Sequence, residues 1–187
     1  RSYRWLEFRR VLFRSIYCLS GGLDIIGNEF RDTYDEAIVC SGKDITIDSN
    51  KFINVPNKSI ATAYDGVKNL IVTNNLFKIT DPTKVGAQVL KKRTEAVNID
   101  YNVKFNHNII EGYDCYACIQ MNLFDTLEIK DNIFDLPISG SDKAISCTGT
   151  NNGLDVSNNV FKSSTGVLTS PIVDISGTYT KDRKRVV

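Results

Sequence analysis

Six eight-residue segments of this chain align without a gap: Leu23-Asp-Ile-Ile-Gly-Asn-Glu-Phe30, Ile45-Thr-Ile-Asp-Ser-Asn-Lys-Phe52, Leu70-Ile-Val-Thr-Asn-Asn-Leu-Phe77, Val103-Lys-Phe-Asn-His-Asn-Ile-Ile110, Leu127-Glu-Ile-Lys-Asp-Asn-Ile-Phe134 and Leu154-Asp-Val-Ser-Asn-Asn-Val-Phe161. The sixth residue is always Asn, the first and third are always apolar, and the eighth is Phe except at Ile110. Apolar residues two apart describe a short strand with one buried face, because successive strand side chains point to opposite sides. The fifth place holds Gly27, Ser49, Asn74, His107, Asp131 and Asn158, mostly turn formers. Successive Asn columns lie 22, 25, 33, 24 and 27 residues apart. Those periods are too short for strand, helix, strand and their loops, and they suit three short strands with turns. The alternation excludes helical repeats.

A tight bend between strands requires a residue that accepts the left-handed region, which Asn does at lower cost than other non-glycine residues. The recurrent Asn is therefore expected to sit in that bend. Stacked coils should then align its amides in a hydrogen-bonded column and bring the eighth-position Phe rings together inside the tube.

This pattern resembles the parallel β-helix repeat of the pectate-lyase-like superfamily, with Asn28, Asn50, Asn75, Asn108, Asn132 and Asn159 matching its internal asparagine ladder. The resemblance implies an all-β fold, a right-handed parallel β-helix of about six coils with three short strands per coil. The first three octet positions would lie in the second strand, the Asn in the turn, and the third strand would begin at the eighth position. First strands would come from the apolar runs Ala37 to Cys40, Ser59 to Thr62, Ala87 to Leu90, Ala117 to Met121, Ala144 to Cys147 and Ile172 to Ile175. The coil is specific for fold and weak for function, since lyases, hydrolases, epimerases and phage tailspikes share it.

Length and a 42% hydrophobic content fit one domain with a continuous core. The net charge is +1, yet residues 1–15 hold five Arg against one Glu and residues 181–187 four Lys/Arg against one Asp, so the stretch between is net −6. Such a surface disfavours nucleic acid, whose phosphates require clustered positive charge. The first 15 residues lack the apolar core and cleavage site of a secretion signal. Both ends read as adaptor sequence translated in frame. The expected organisation is a non-native or disordered leader over 1–15, a β-helix over 16–180 and a non-native tail over 181–187. No run approaches the roughly 18 apolar residues of a membrane helix, so no membrane span is expected.

Cys18, Cys40, Cys115, Cys118 and Cys147 are an odd number in a chain rich in apolar residues, unlike a small disulfide scaffold. Cys115-Tyr-Ala-Cys118 has the spacing of a redox or metal pair but no second CxxC accompanies it. Cys40, Cys118 and Cys147 fall in the first strands, where Cys serves as a small buried hydrophobe. The lone His107 stands at the turn beside a ladder Asn and is read as a turn residue. No metal site and no cofactor is expected.

In resembling enzymes a polysaccharide lies along the outer face of the first strands. The longest intervening stretch is Lys91 to Asn102, and long loops on a repeat scaffold tend to carry function. Lys91, Lys92 and Arg93 are the candidates for neutralising a uronate or taking its α-proton, as a lyase requires. Tyr113, Asp114 and Tyr116, with Gln88 and Gln120, and with Tyr64 and Asp65 on the preceding coil, are the candidate sugar-binding residues.

The hydrolase motifs Asn-Thr-Asp, Asp-Asp, Gly-His-Gly and Arg-Ile-Lys are missing, as are the lyase signature Arg-x-Pro-x-x-Arg and any acidic cluster suited to calcium. For the carboxylate pair of a glycosidase, the outward first-strand positions offer mainly Asp174. The functional expectation is a carbohydrate-associated β-helix, polysaccharide lyase-like or glycoside hydrolase-like if an enzyme, binding or cleaving an acidic polysaccharide outside the cell. The alternative is a non-catalytic glycan-binding or structural module of a phage tailspike or cell-surface adhesin, with a trimer as its expected assembly.

Overall fold

The computed structural model describes residues 4–6, 16–19, 21–84, 86–93, 98–137, 143–163, 173–179 and 182–185. Among them every element is a strand and every strand pairing is parallel. The chain is a parallel β-solenoid of about five turns, with the ladder asparagines buried. That is one turn fewer than the coil count expected from the repeats, because six asparagines bound five intervals.

The gapless octet alignment is the strand register. Leu23, Ile45, Leu70, Val103, Leu127 and Leu154 are successive partners in the second-strand ladder. Phe30, Phe52, Phe77, Ile110, Phe134 and Phe161 are successive partners in the third-strand ladder, a separate sheet of six strands from Glu29–Arg31 to Val160–Lys162. A one-residue slip would turn every apolar side chain outward, so the buried face holds this register strongly. First and second strands are continuous in Ile38–Asp48 and Lys58–Thr73, which merges their ladders into one sheet of 13 strands. Three separate strands per coil were expected there. The chain instead bends within an unbroken run, at left-handed Asp44, Tyr64 and Asn69.

The asparagine column is held from both sides. The Oδ1 of Asn75 accepts from the backbone N of Asn50 at 2.9 Å and from its Nδ2 at 3.1 Å. The Nδ2 of Asn75 donates to the carbonyls of Ile47 and Thr73 and to Asn108 Oδ1. The contact recurs from Asn28 to Asn50, from Asn108 to Asn132 and from Asn132 to Asn159. The left-handed residue is nevertheless not the Asn, as expected, but its predecessor: Gly27, Ser49, Asn74, His107, Asp131 and Asn158 all have φ between 54° and 69°. The ladder Asn recurs because its buried amide satisfies groups that would otherwise be orphaned.

Phe30, Phe52 and Phe77 stack with centroids 4.9 and 4.7 Å apart. Where the eighth position becomes Ile110, the stack passes to third-position Phe105, 5.8 Å from Phe77, and it resumes between Phe134 and Phe161. All five cysteines are buried and none is in a disulfide.

Arg4–Leu6 pairs with Leu23–Ile26, and Asp182–Arg185 with Gly153–Ser157. Most of the expected leader and the rest of the expected tail, like Ile172, lie outside the described residues.

Candidate functional site

One column of register partners runs along the outer face of the first strands. Tyr17, Val39, Ala61, Lys91, Gln120, Ser146 and Asp174 are successive register partners, opposite the interior column Ile38, Ile60, Leu90, Ile119, Ile145 and Val173. The outer column changes from small and apolar at Val39 and Ala61 to polar from Lys91 onward.

Lys91 and Lys92 belong to the strand Gln88–Lys92, so the long stretch expected to begin at Lys91 begins at Arg93. Strand alternation separates the three basic candidates. Lys92 points inward and is fully buried, its Nζ 3.3 Å from Asp100 Oδ1 and 2.6 Å from the Asn98 carbonyl. Asp100 also accepts from Thr62 Oγ1 at 2.7 Å and from the Val67 backbone at 3.0 Å. Burial pushes the Asp100 carboxyl above its ordinary value despite these partners. Lys92 is thus a tie between the strand and the segment after it, and is closed to a ligand.

Arg93 points outward and meets Glu36, whose Oε1 also accepts from Lys58 Nζ at 3.0 Å. Glu36 precedes its strand and Arg93 follows one two rungs away, so the bridge runs over Val39, Ala61 and Ala63, which are buried apart from the main core. Burial would raise the Glu36 carboxyl, but hydrogen bonds and charge from Arg93 and Lys58 hold it below its ordinary value.

Lys91 is different. It is half-buried, and among the described residues no hydrogen bond or ion pair holds its amine. Burial, and then the charge of Lys58, lower its pKa. The Nε2 of neighbouring Gln88 donates to Gln120 Oε1 at 3.1 Å and to the Ala117 carbonyl. Farther along, Lys143 Nζ contacts Asp174 at 2.5 Å and Tyr116 Oη at 3.2 Å, and lies 4.9 Å from the Tyr116 ring centroid.

Of the aromatic candidates Tyr116 is exposed on this face, whereas Tyr113 is buried and shares a 2.9 Å hydrogen bond with Ser59 Oγ. Asp114 is exposed beside an open hollow of about 300 Å³ lined by Ile79, Asp81, Lys84 and Pro137. Tyr64 and Asp65 are exposed at the opposite end of the first strand, with Asn98 Nδ2 3.5 Å from Asp65 Oδ1. The strand-1 face therefore brings together Lys91, Gln88, Gln120, Arg93 and Tyr116, and does not include Lys92 or Tyr113. Residues 94–97 lie outside the described residues.

Three features were missed from sequence. Glu36 and Lys58 join the face through register alone. An exposed polar ladder runs along the first corner, Asn69 Nδ2 to Asp44 Oδ1 and Asn102 Nδ2 to Asn69 Oδ1, both 2.8 Å. Its signal was the residue before each of the first four octets: Gly22, Asp44, Asn69 and Asn102 all have positive φ, whereas Thr126 and Gly153 before the last two do not. The third is a carboxylate pair over the second strands, where Lys130 Nζ lies 2.8 Å from Glu128 and 2.9 Å from Asp155, beside a hollow of about 280 Å³. A glycosidase acid must stay protonated. Burial of Glu128 is outweighed by hydrogen bonds from Lys130 and Asn106, which lower its pKa, so this pair is unsuited to that role.

Among the described residues no cluster of three or more His, Cys, Asp or Glu could hold a metal, and no helix is long and apolar enough to cross a membrane. No protein-family model, curated protein or solved structure matches the chain.

Proposed function

We propose that this protein binds an acidic polysaccharide along the outer face of its first strands. The observation that carries the reading is the Lys91 amine, an unpaired cation among the described residues, flanked by Lys58 and bordered by the amides of Gln88 and Gln120. A carboxylate arriving there relieves the repulsion from Lys58 and gains a charge-assisted hydrogen bond. Tyr116 on the same face supplies a ring of the kind that packs against sugars. The resemblance of the coil to the pectate-lyase-like superfamily supports the polymer class and an extracellular or phage-particle setting.

Affinity electrophoresis and calorimetry with uronic-acid polymers test this. Wild type should bind alginate, pectate or a glycosaminoglycan, more weakly as salt rises. Lys91→Met should weaken binding roughly 10- to 100-fold, the loss of one ionic hydrogen bond. Equal binding to a neutral glucan, or no effect of Lys91→Met, would refute the reading.

The lowered pKa of Lys91 favours a second reading, cleavage by β-elimination with Lys91 as the base taking the α-proton of a uronate. Arg93 is already engaged by Glu36, so the substrate carboxylate would have to share Lys58. Accumulation of unsaturated product in wild type and none in Lys91→Met is the expected sign. Binding without product supports the tailspike or adhesin form, for which sedimentation should show a trimer.

A further inference from the structure

Two thiols at the corner between the third and first strands stand apart from this face. Cys115 Sγ and Cys118 Sγ are 3.5 Å apart, with Cys115 7% exposed and Cys118 1%. Cys18 and Cys40 are also neighbours, but they sit opposite one another in paired strands whose backbones the ladder holds. Cys115 instead lies in the turn before the strand Ala117–Asn122. A disulfide requires about 2.05 Å between sulfurs, so the gap must close by about 1.5 Å, within reach of a side-chain rotation in a turn.

We propose that Cys115 and Cys118 form a redox-active dithiol at which a low-molecular-weight disulfide oxidises the protein and pins the 112–116 turn to the first strand. Cys115, the more accessible, attacks one sulfur of the reagent as the thiolate, forming a mixed disulfide and releasing one small thiolate. Cys118 then attacks Cys115 Sγ and releases the second. The protein gains one S–S bond, the reagent loses one, the two thiol protons pass to the leaving groups, and two electrons move from protein to reagent.

The turn is a connection worth fixing. It carries Tyr113, bonded inside the solenoid to Ser59, and Tyr116, set outside against Lys143. Its backbone is anchored at three points, Gly112 N to the Asp135 carbonyl, Gly86 N to the Asp114 carbonyl and Lys143 N to the Tyr116 carbonyl, all 2.9 Å. A covalent link between positions 115 and 118 adds a fourth. The site stands whether or not the strand-1 face binds a polysaccharide.

The full chain is incubated with glutathione disulfide, unfolded in denaturant containing an alkylating reagent, and mapped by mass spectrometry. Untreated protein should show all five cysteines alkylated. Treated protein should show three alkylated, a cross-linked Cys115–Cys118 peptide, and slower amide exchange over residues 112–117 in a parallel native sample. Cys115→Ser, treated in the same way, should keep all its remaining thiols alkylatable. Five alkylated cysteines after treatment, a stable glutathione adduct on Cys115, a Cys18–Cys40 link in place of the predicted one, or unchanged exchange would each overturn the proposal.

Discussion

Arg93 Nε lies 3.1 Å from Glu36 Oε1, and its Nη2 lies 2.5 Å from Glu36 Oε2, a two-point contact between residues 57 apart in sequence. With Lys58 bonded to the same carboxylate, one buried acid clasps three successive rungs. Two-point guanidinium contacts fix geometry as well as energy. The clasp also covers the apolar part of the face, and among the described residues Lys91 is the cation of that face with no ion pair.

Glu36→Gln should lower stability at neutral pH by roughly 2 kcal/mol, because it leaves two cations facing a neutral amide. The Glu36 carboxyl titrates below its ordinary value in the folded chain. Its contribution is therefore complete above the unfolded pKa and is lost as pH falls through the folded one. Urea unfolding across the acid range should show wild type and variant converging as pH drops. A gap that stays constant would mean that the clasp contributes no charge-dependent stability.

Asp100 has the opposite sign. Its carboxyl is raised by burial, so its own contribution is greatest at low pH and is lost as pH rises from the unfolded to the folded value. Lys92→Met removes the cation that offsets the ionised form, and should cost about 3 kcal/mol at neutral pH and less in acid. The double variant Lys92→Met with Asp100→Asn should recover at least ~1 kcal/mol relative to additivity. Additive losses would show that the two groups act independently.

Replacing Asn75 separates its two roles. Asn75→Ala leaves the buried Asn50 backbone N–H without its acceptor and takes a donor from the carbonyls of Ile47 and Thr73. It should destabilise by about 3 kcal/mol, since an unsatisfied buried group costs roughly 1–3 kcal/mol and each lost hydrogen bond adds to it. Asn75→Asp keeps an acceptor for Asn50 but sets carboxylate oxygen against the carbonyls of Ile47 and Thr73 and against Asn108 Oδ1. It should be the worse of the two in chemical denaturation, although it is nearly the same size. Equal or smaller loss from the Asp variant would show that the donor side of the ladder is dispensable.

At the adjoining position the backbone decides. His107 has φ 56° and an exposed side chain. His107→Gly should be tolerated or mildly stabilising, and His107→Val should cost about 1–2 kcal/mol from left-handed strain. Asn108→Gly should be far more damaging than His107→Gly. Thermal melts of the three variants in the reverse order would return the left-handed role to the ladder Asn.

Lys91 titrates below the ordinary lysine range, first because of burial and then because of Lys58. Affinity for a uronic-acid polymer should accordingly fall as pH rises through that lowered value, before exposed lysines lose their charge. In Lys58→Met the fall should move to higher pH, because the repulsion is gone. A profile unchanged by Lys58→Met would detach Lys91 from binding.

The repeat made the architecture legible because burial in a stacked strand acts at every rung, writing the same constraint into six octets. First and third positions, ladder asparagines and eighth-position rings could all be placed from residue type. The detour of the ring stack through Phe105 was present in the same letters, but its meaning depended on which side chains share an interior. The left-handed residue was assigned one place too late because both positions hold residues that tolerate a turn, and only the dihedrals separate them.

Period and polarity thus determined, from the sequence alone, that this chain winds into parallel rungs around an apolar interior with an amide column along one bend. Only the tertiary structure decided where the basic run Lys91, Lys92 and Arg93 points, turning one inward to Asp100, one outward to Glu36, and leaving one without an ion pair among the described residues. The reason is physical: backbone alternation is a local property, while the partners of a charge are set by rungs that lie dozens of residues away in the chain and a few ångströms away in space.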